Sequence, residues 1–150
     1  MNVKVVATNR KAKFEYFLLE TFEAGISLQG SEIKSIRAGQ MSLGEAYVKI
    51  DMKEAWLINA HIAPYEQANR FNHDPLRERR LLLHKKEIRK IWEAIRQKGM
   101  TVVPVEVYLK DGRAKVEIAL AKGKKLYDKR DALAQRDQER EMSRSRVHKE

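Results

Sequence analysis

The chain has 150 residues and a formal charge of +10, from 31 lysines and arginines against 21 aspartates and glutamates. That length suits one domain with a real core and is too short for two of ordinary size. With no cysteine, disulfides and thiolate metal sites are excluded, which suits a reducing cytoplasm; residues 1–6 are too short for a signal peptide's apolar region, and no run approaches the ~20 apolar residues of a membrane span.

Residues 14–23 read as a strongly hydrophobic strand. Residues 31–38 predict a short helix, with Ser31 as N-cap, Ile33 and Ile36 inward and Gly39 just past the end. Ala46, Val48, Ile50 and Met52 alternate with polar residues, and a turn at Lys53-Glu54 leads to a second alternating strand through Trp56, Ile58, Ala60 and Ile62 that stops at Pro64. Residues 65–79 are polar, basic and aromatic, with turns at Asn72 and Asp74-Pro75, and read as a long loop.

Ile88, Ile91, Trp92 and Ile95 follow the i, i+3, i+4, i+7 spacing of an amphipathic helix that Gly99 closes. Residues 101–109 and 114–120 form a hairpin whose tip contains Asp111-Gly112, a pair that tolerates positive φ. Pro104 has no N–H to give a ladder, so it belongs at an edge or a bulge.

After Asp131 the sizeable apolar side chains are Leu133, Met142 and Val147. They cannot offset an ordering cost of about 1–2 kcal/mol per residue, so residues 122–150 read as a disordered basic tail behind a domain of residues 1–121. The order of elements fits a mainly β fold with short helices. A small OB-like barrel and an open Greek-key sheet both satisfy it.

No catalytic constellation emerges. The four histidines are scattered, and neither a phosphate-cradling glycine loop nor a nucleophile motif is present. High positive charge leaves either a solubilised surface or a polyanionic partner. Glu23 is a strand-end carboxylate that either pairs with a lysine or accepts from a nucleobase. Leu82 points away from the core if residues 81–83 are extended, and Arg79, Arg80 and His84 flank it, a setting in which an unstacked base can pack. Lys115 lies on the outward phase of the last strand, either an ordinary surface lysine or a phosphate contact. Asn9, Arg10, Lys11 and Lys13 cluster near Tyr16, which offers a stacking plane or a core side chain. In the tail, Lys122, Lys124, Lys125, Lys129 and Arg130 lie around Gly123 and Asp128, and the glycine allows close approach to a phosphodiester.

Several words then fall in one order: Asn9-Arg10-Lys11-Ala12-Lys13, Phe22-Glu23-Ala24-Gly25-Ile26, Leu28-Gln29-Gly30-Ser31-Glu32-Ile33-Lys34-Ser35, Arg37-Ala38-Gly39, Asn72-His73-Asp74-Pro75, Arg80-Leu81-Leu82-Leu83-His84, Gly112-Arg113-Ala114-Lys115-Val116 and Ala121-Lys122-Gly123-Lys124-Lys125-Leu126-Tyr127-Asp128-Lys129-Arg130. Together they resemble the small protein B (SmpB) family, the bacterial partners of transfer-messenger RNA. The resemblance implies a closed OB-like antiparallel barrel of about six strands and two to three helices. It implies a monomeric, cytoplasmic, non-enzymatic RNA-binding protein without cofactor, with RNA contact at Glu23 and Leu82.

The implied RNA is the tRNA-like domain of transfer-messenger RNA, whose missing anticodon arm the protein replaces in rescue of stalled ribosomes. The tail would meet small-subunit ribosomal RNA at the decoding centre and messenger channel, with elongation factor Tu in the delivery complex. Two other classes share the basic-globule pattern: a general single-strand-binding OB module, which needs aromatics on a sheet face, and a ribosome-assembly protein.

Overall fold

Period-two alternation in the C-terminal hairpin sets the architecture. The computed structural model describes residues 3–66 and 72–124. Its elements are β1 (Val3–Thr8), α1 (Arg10–Glu15), β2 (Tyr16–Ile26), α2 (Gly30–Arg37), β3 (Met41–Ser42), β4 (Tyr47–Ile50), β5 (Ala55–Ile58), β6 (His61–Ile62), β7 (Arg79–Leu82), α3 (Lys85–Lys98), β8 (Thr101–Lys110) and β9 (Arg113–Gly123). Along β8 and β9, Val105, Val107, Leu109, Ala114, Val116 and Ile118 are buried, while Tyr108, Lys110, Arg113, Lys115 and Glu117 take the outer phase. Asp111 and Gly112 both have positive φ, as the tight turn between these strands requires.

Seven strands form one antiparallel sheet in the order β1-β8-β9-β2-β7-β5-β4, and β3 pairs with β6 in a separate ribbon. The core lies on the inner face, where Ala24, Leu57, Leu81, Val107, Val116 and Ile118 meet Ile36 of α2 and Ile91 of α3. The mainly β expectation with a few helices therefore holds. Closure into a barrel is not present: among the described residues no ladder joins the edge strands β1 and β4. The sheet curls until β4 lies beside β8, and β3 of the ribbon lies beside β1.

Several local expectations are corrected. Residues 14–15 end α1, which Asn9 initiates, so the strand expected from residue 14 starts at Tyr16 and runs on to Ile26. The N-cap of α2 is Gln29; the Ser31 hydroxyl instead bonds His73 Nδ1 at 2.8 Å. In β5 the inward phase is Ala55 and Leu57, and Trp56 is only half-buried. Asn59, with φ of 62°, then breaks the strand and resets the phase, so Ile58, Ala60 and Ile62 are all buried. Arg79, the last residue of the expected loop, instead opens β7, which lies between β2 and β5. Pro104 sits at a register shift in β8, in accord with the bulge reading.

One buried charge cluster ties these pieces together. Glu32 and Arg79 have no exposed surface. Arg79 Nε donates to Glu32 Oε2 at 2.8 Å, and its Nη1 donates to the Ala60 carbonyl at 2.7 Å. Arg77 donates to both Glu32 oxygens, at 2.6 and 3.1 Å, and the Gln29 N–H adds a bond of 2.7 Å. Burial opposes ionisation of Glu32, but the bonds from Arg77, the Gln29 N–H and Arg79 outweigh it and hold the carboxyl below its ordinary value.

Glu32→Gln leaves two guanidiniums around a neutral amide. It should cost about 3–5 kcal/mol in urea unfolding, the range for breaking a buried pair on one side. Because the folded-state pKa is lowered, the carboxylate's stabilisation is present above the unfolded value and is lost as pH falls through the folded one. The acid-side loss should therefore shrink in Glu32→Gln. A cost below about 1 kcal/mol would show that the cluster does not hold the fold.

Candidate nucleic-acid interface

Strand pairing brings three distant segments to one outer face. Leu82 of β7 pairs with Gly25 of β2, Gly25 with Lys115 of β9, and Lys115 with Tyr108 of β8. Cross-strand partners share a face, and this row is the outward one, since its neighbours Leu81, Ala24, Val116 and Val107 form the core. Glu23 and Arg80 stand two residues along the same strands and so share the face.

These side chains surround a cavity of about 620 Å³. Glu23, Arg80, Leu82, His84 and Lys115 all line it, joined on its rim by Lys53, Glu54, Lys85 and Glu87. Leu82 is 53% exposed although Leu81 beside it is buried. Arg80 approaches Glu54 at 3.7 Å across the surface. The His84 N–H is capped by Glu87 Oε1 at 3.0 Å at the start of α3. Arg79, expected to flank Leu82, faces the core instead, because it shares the inward phase with Leu81.

Glu23 is prepared as an acceptor. Tyr108 donates a short hydrogen bond from its hydroxyl to Glu23 Oε2, and Lys110 Nζ reaches the same oxygen at 3.5 Å. The Tyr108 bond, chiefly, holds the Glu23 carboxyl below its ordinary value, with Lys110 and Lys115 adding to it against partial desolvation. Burial and the bond to Glu23 push the Tyr108 phenol up. The pairing of Glu23 with a lysine is thus real, and it leaves the carboxylate ionised and on the surface. Sequence reasoning missed Tyr108 and Lys110, although both lie on the outward phase of β8.

The second expected cluster is separate. It lies at the other end of β2, roughly 23 Å away along seven strand residues at about 3.3 Å each. Arg10, Lys11 and Lys13 are exposed on α1, and Tyr16 is half-buried against Ala12, Val103 and Ala121. Tyr16 and Lys11 border a shallow cavity of about 150 Å³ together with Tyr47. Asn9, expected in the same cluster, has its side chain bonded within the fold. It is buried, its Oδ1 accepts from the Ala12 N–H at 3.2 Å, and its Nδ2 donates to the Pro104 carbonyl at 2.9 Å.

The expected tail begins inside the fold. Lys122 and Gly123 are the last residues of β9, paired with Phe17 and Tyr16, and the Lys124 N–H donates to the Glu15 carbonyl at 2.9 Å. Lys124 Nζ sits 5.0 Å from the Phe17 ring. Among the described residues nothing lies within 4 Å of where a Gly123 Cβ would be, so packing against them does not demand glycine there. Lys125, Asp128, Lys129 and Arg130 lie outside the described residues. Among the described residues, no helix is long and apolar enough to cross a membrane, and no group of histidines and carboxylates could hold a metal ion.

Comparison with known proteins gives one consistent result. The model of the family described as SmpB protein matches residues 6–148. An SsrA-binding protein of Desulforudis audaxviator is 58% identical over 142 residues, covering 95% of this chain and 93% of the relative. One from Pelotomaculum thermopropionicum is 53% identical over 145 residues, covering 97% and 95%. A solved chain described as "tmRNA-SmpB: a journey to the center of the bacterial ribosome" aligns with a TM-score of 0.66 and 44% identity, over 84% of this chain and 92% of that one.

Removing the phenol donor gives a direct check on the Glu23 site. Tyr108→Phe should raise the Glu23 pKa toward the ordinary carboxylate value, read by NMR titration of the side-chain carboxyl. An unmoved titration would mean that the hydrogen bond does not govern this carboxylate.

Proposed function

The chain belongs to the SmpB protein family, and from that premise we propose that it is a non-enzymatic RNA-binding protein of trans-translation that binds the tRNA-like domain of transfer-messenger RNA. The observation that carries this reading is the convergence of Glu23, Arg80, Leu82, His84 and Lys115 from β2, β7, β9 and the start of α3 on one cavity. Each supplies something different. Among the described residues, both bonds made to Glu23 end on Oε2, which leaves Oε1 to accept from a nucleobase amino or imino group. Leu82 gives an apolar platform for an unstacked base, while Arg80 and Lys115 meet phosphate. Because Glu54 and Glu87 stand on the same rim, the site repels undirected polyanion binding more than a purely basic face does, which favours one RNA shape over any single strand.

In this reading, Arg10, Lys11, Lys13 and Tyr16 form a second contact at the far end of β2, which suits a folded RNA spanning the sheet. The protein stands in for the missing anticodon arm and enters the ribosome with elongation factor Tu as a cytoplasmic monomer. Residues from Lys122 onward, Gly123, Lys124, Lys125, Asp128, Lys129 and Arg130 among them, meet small-subunit RNA in the empty messenger channel. Coupled folding there would make an occupied channel exclude the tail by sterics and charge.

Glu23→Ala or Leu82→Ser should weaken gel-shift affinity for the tRNA-like domain by about 1–3 kcal/mol while changing stability by about 0.5 kcal/mol or less. Unchanged affinity in both would remove this cavity from the interface. Since β9 runs to Gly123 and Lys124 is bonded to Glu15, the tail is best removed after Lys124. That truncation should keep RNA affinity and abolish peptide tagging on ribosomes stalled without downstream message; full tagging would contradict the role given to the tail.

A further inference from the structure

We propose that a second cavity, bounded by α2 and the β8–β9 turn, holds the nucleotide that adjoins the one bound beside Glu23, with Leu82 standing between the two bases. The proposal rests on the RNA-binding reading above and adds a subsite to it. The second cavity has about 450 Å³, and it shares Gly25, Leu82 and Lys115 with the first. Both volumes fall within the roughly 300–1,000 Å³ of small-ligand sites. The two therefore open on opposite flanks of one ridge. That ridge has a structural cause: a Cβ on Gly25 would meet Leu82 Cβ at 3.3 Å, so the bare backbone of β2 is what lets Leu82 lie across it.

The two flanks differ in chemistry. On the first, Glu23, Glu54 and Glu87 interleave with Lys53, Arg80 and Lys85. On the second, Arg37, Arg113 and Lys115 stand with no carboxylate among the described lining residues, above walls made by Leu28, Ile33 and Ala114. An apolar wall under a cationic rim fits a flat base carrying its phosphate. Arg37 Nη2 reaches the Gly112 carbonyl at only 3.4 Å, a long bond that a phosphate oxygen would replace with a shorter charge-assisted one. An apolar side chain wedged between two bases recovers some of the contact they lose on unstacking.

The test measures binding of the full chain to the tRNA-like domain of transfer-messenger RNA over a range of salt. The double variant Arg37→Ala/Arg113→Ala should lower affinity about tenfold at 0.15 M salt and flatten log K against log salt by about 0.7, the increment for one phosphate. Arg113→Ala alone, which keeps the Arg37–Gly112 tie, should move both readouts the same way by less. Lys98→Ala, at the far end of α3 and outside both cavities, should leave the slope unchanged. An unchanged slope in the double variant, with Glu23→Ala still weakening binding, overturns the second subsite and spares the RNA reading. Equal flattening by Lys98→Ala also overturns it, because the effect would then be the general field of the protein. If neither the double variant nor Glu23→Ala matters, both readings fall together.

Discussion

The carboxylate of Glu32, enclosed by Arg77 and Arg79, is the constraint on which the interface depends. An ionised carboxylate without exposed surface is tolerable only when fully bonded, and this one draws its donors from the start of α2 and from the approach to β7. Arg79 extends the tie to the carbonyls of Ala60, Asp74 and Pro75. The chain entering β7 is thereby held against α2 and against the segment following β5. Arg80 follows at once and Leu82 two residues after it, both in the outward phase, so the placement of the surface site follows from the placement of the buried charges.

The outer face then combines shape with unequal charge. Ladder pairing aligns Leu82, Gly25, Lys115 and Tyr108 in one row across four strands, and the gap at Gly25 leaves room for Leu82 to rise as a ridge. Glu23, kept ionised by Tyr108, sits on the mixed-charge flank; Arg37 and Arg113 sit on the purely cationic one. Cationic groups position an RNA backbone without reading it, whereas a fixed carboxylate discriminates among base edges. Glu23 and Arg113 stand on the sheet and Arg37 on α2, rather than on a long loop, which keeps their spacing rigid.

Much of this was legible in the sequence, and the failures share a cause. Alternation through β8 and β9 gave the hairpin, its Asp111-Gly112 turn and the outward phase of Lys115. The stripe Ile88, Ile91, Trp92, Ile95 gave α3. What local pattern cannot reveal is partnership over distance. Arg79 occupies a core phase next to Leu81, which signals a buried charge, but its partner Glu32 lies 47 residues earlier and only the fold brings them together. Tyr108 reaches Glu23 from 85 residues away for the same reason. Helix α1 was missed because six residues are too few to show a helical period, even though Asn9 carries the cap signal. Closure of the sheet was expected from family likeness, and strand order along a chain does not determine whether edge strands pair.

The central claim is that the outward row of β7, β2 and β9 is the RNA-binding face. It is tested most directly by following backbone amide NMR shifts of the full chain as the tRNA-like domain of transfer-messenger RNA is added. The account predicts that the largest perturbations gather at Glu23, Gly25, Arg80, Leu82, His84 and Lys115, and continue to Arg37 and Arg113. Perturbations gathered instead on the exposed edge of β1 around Val3 and Val5, with that row unmoved, would contradict it.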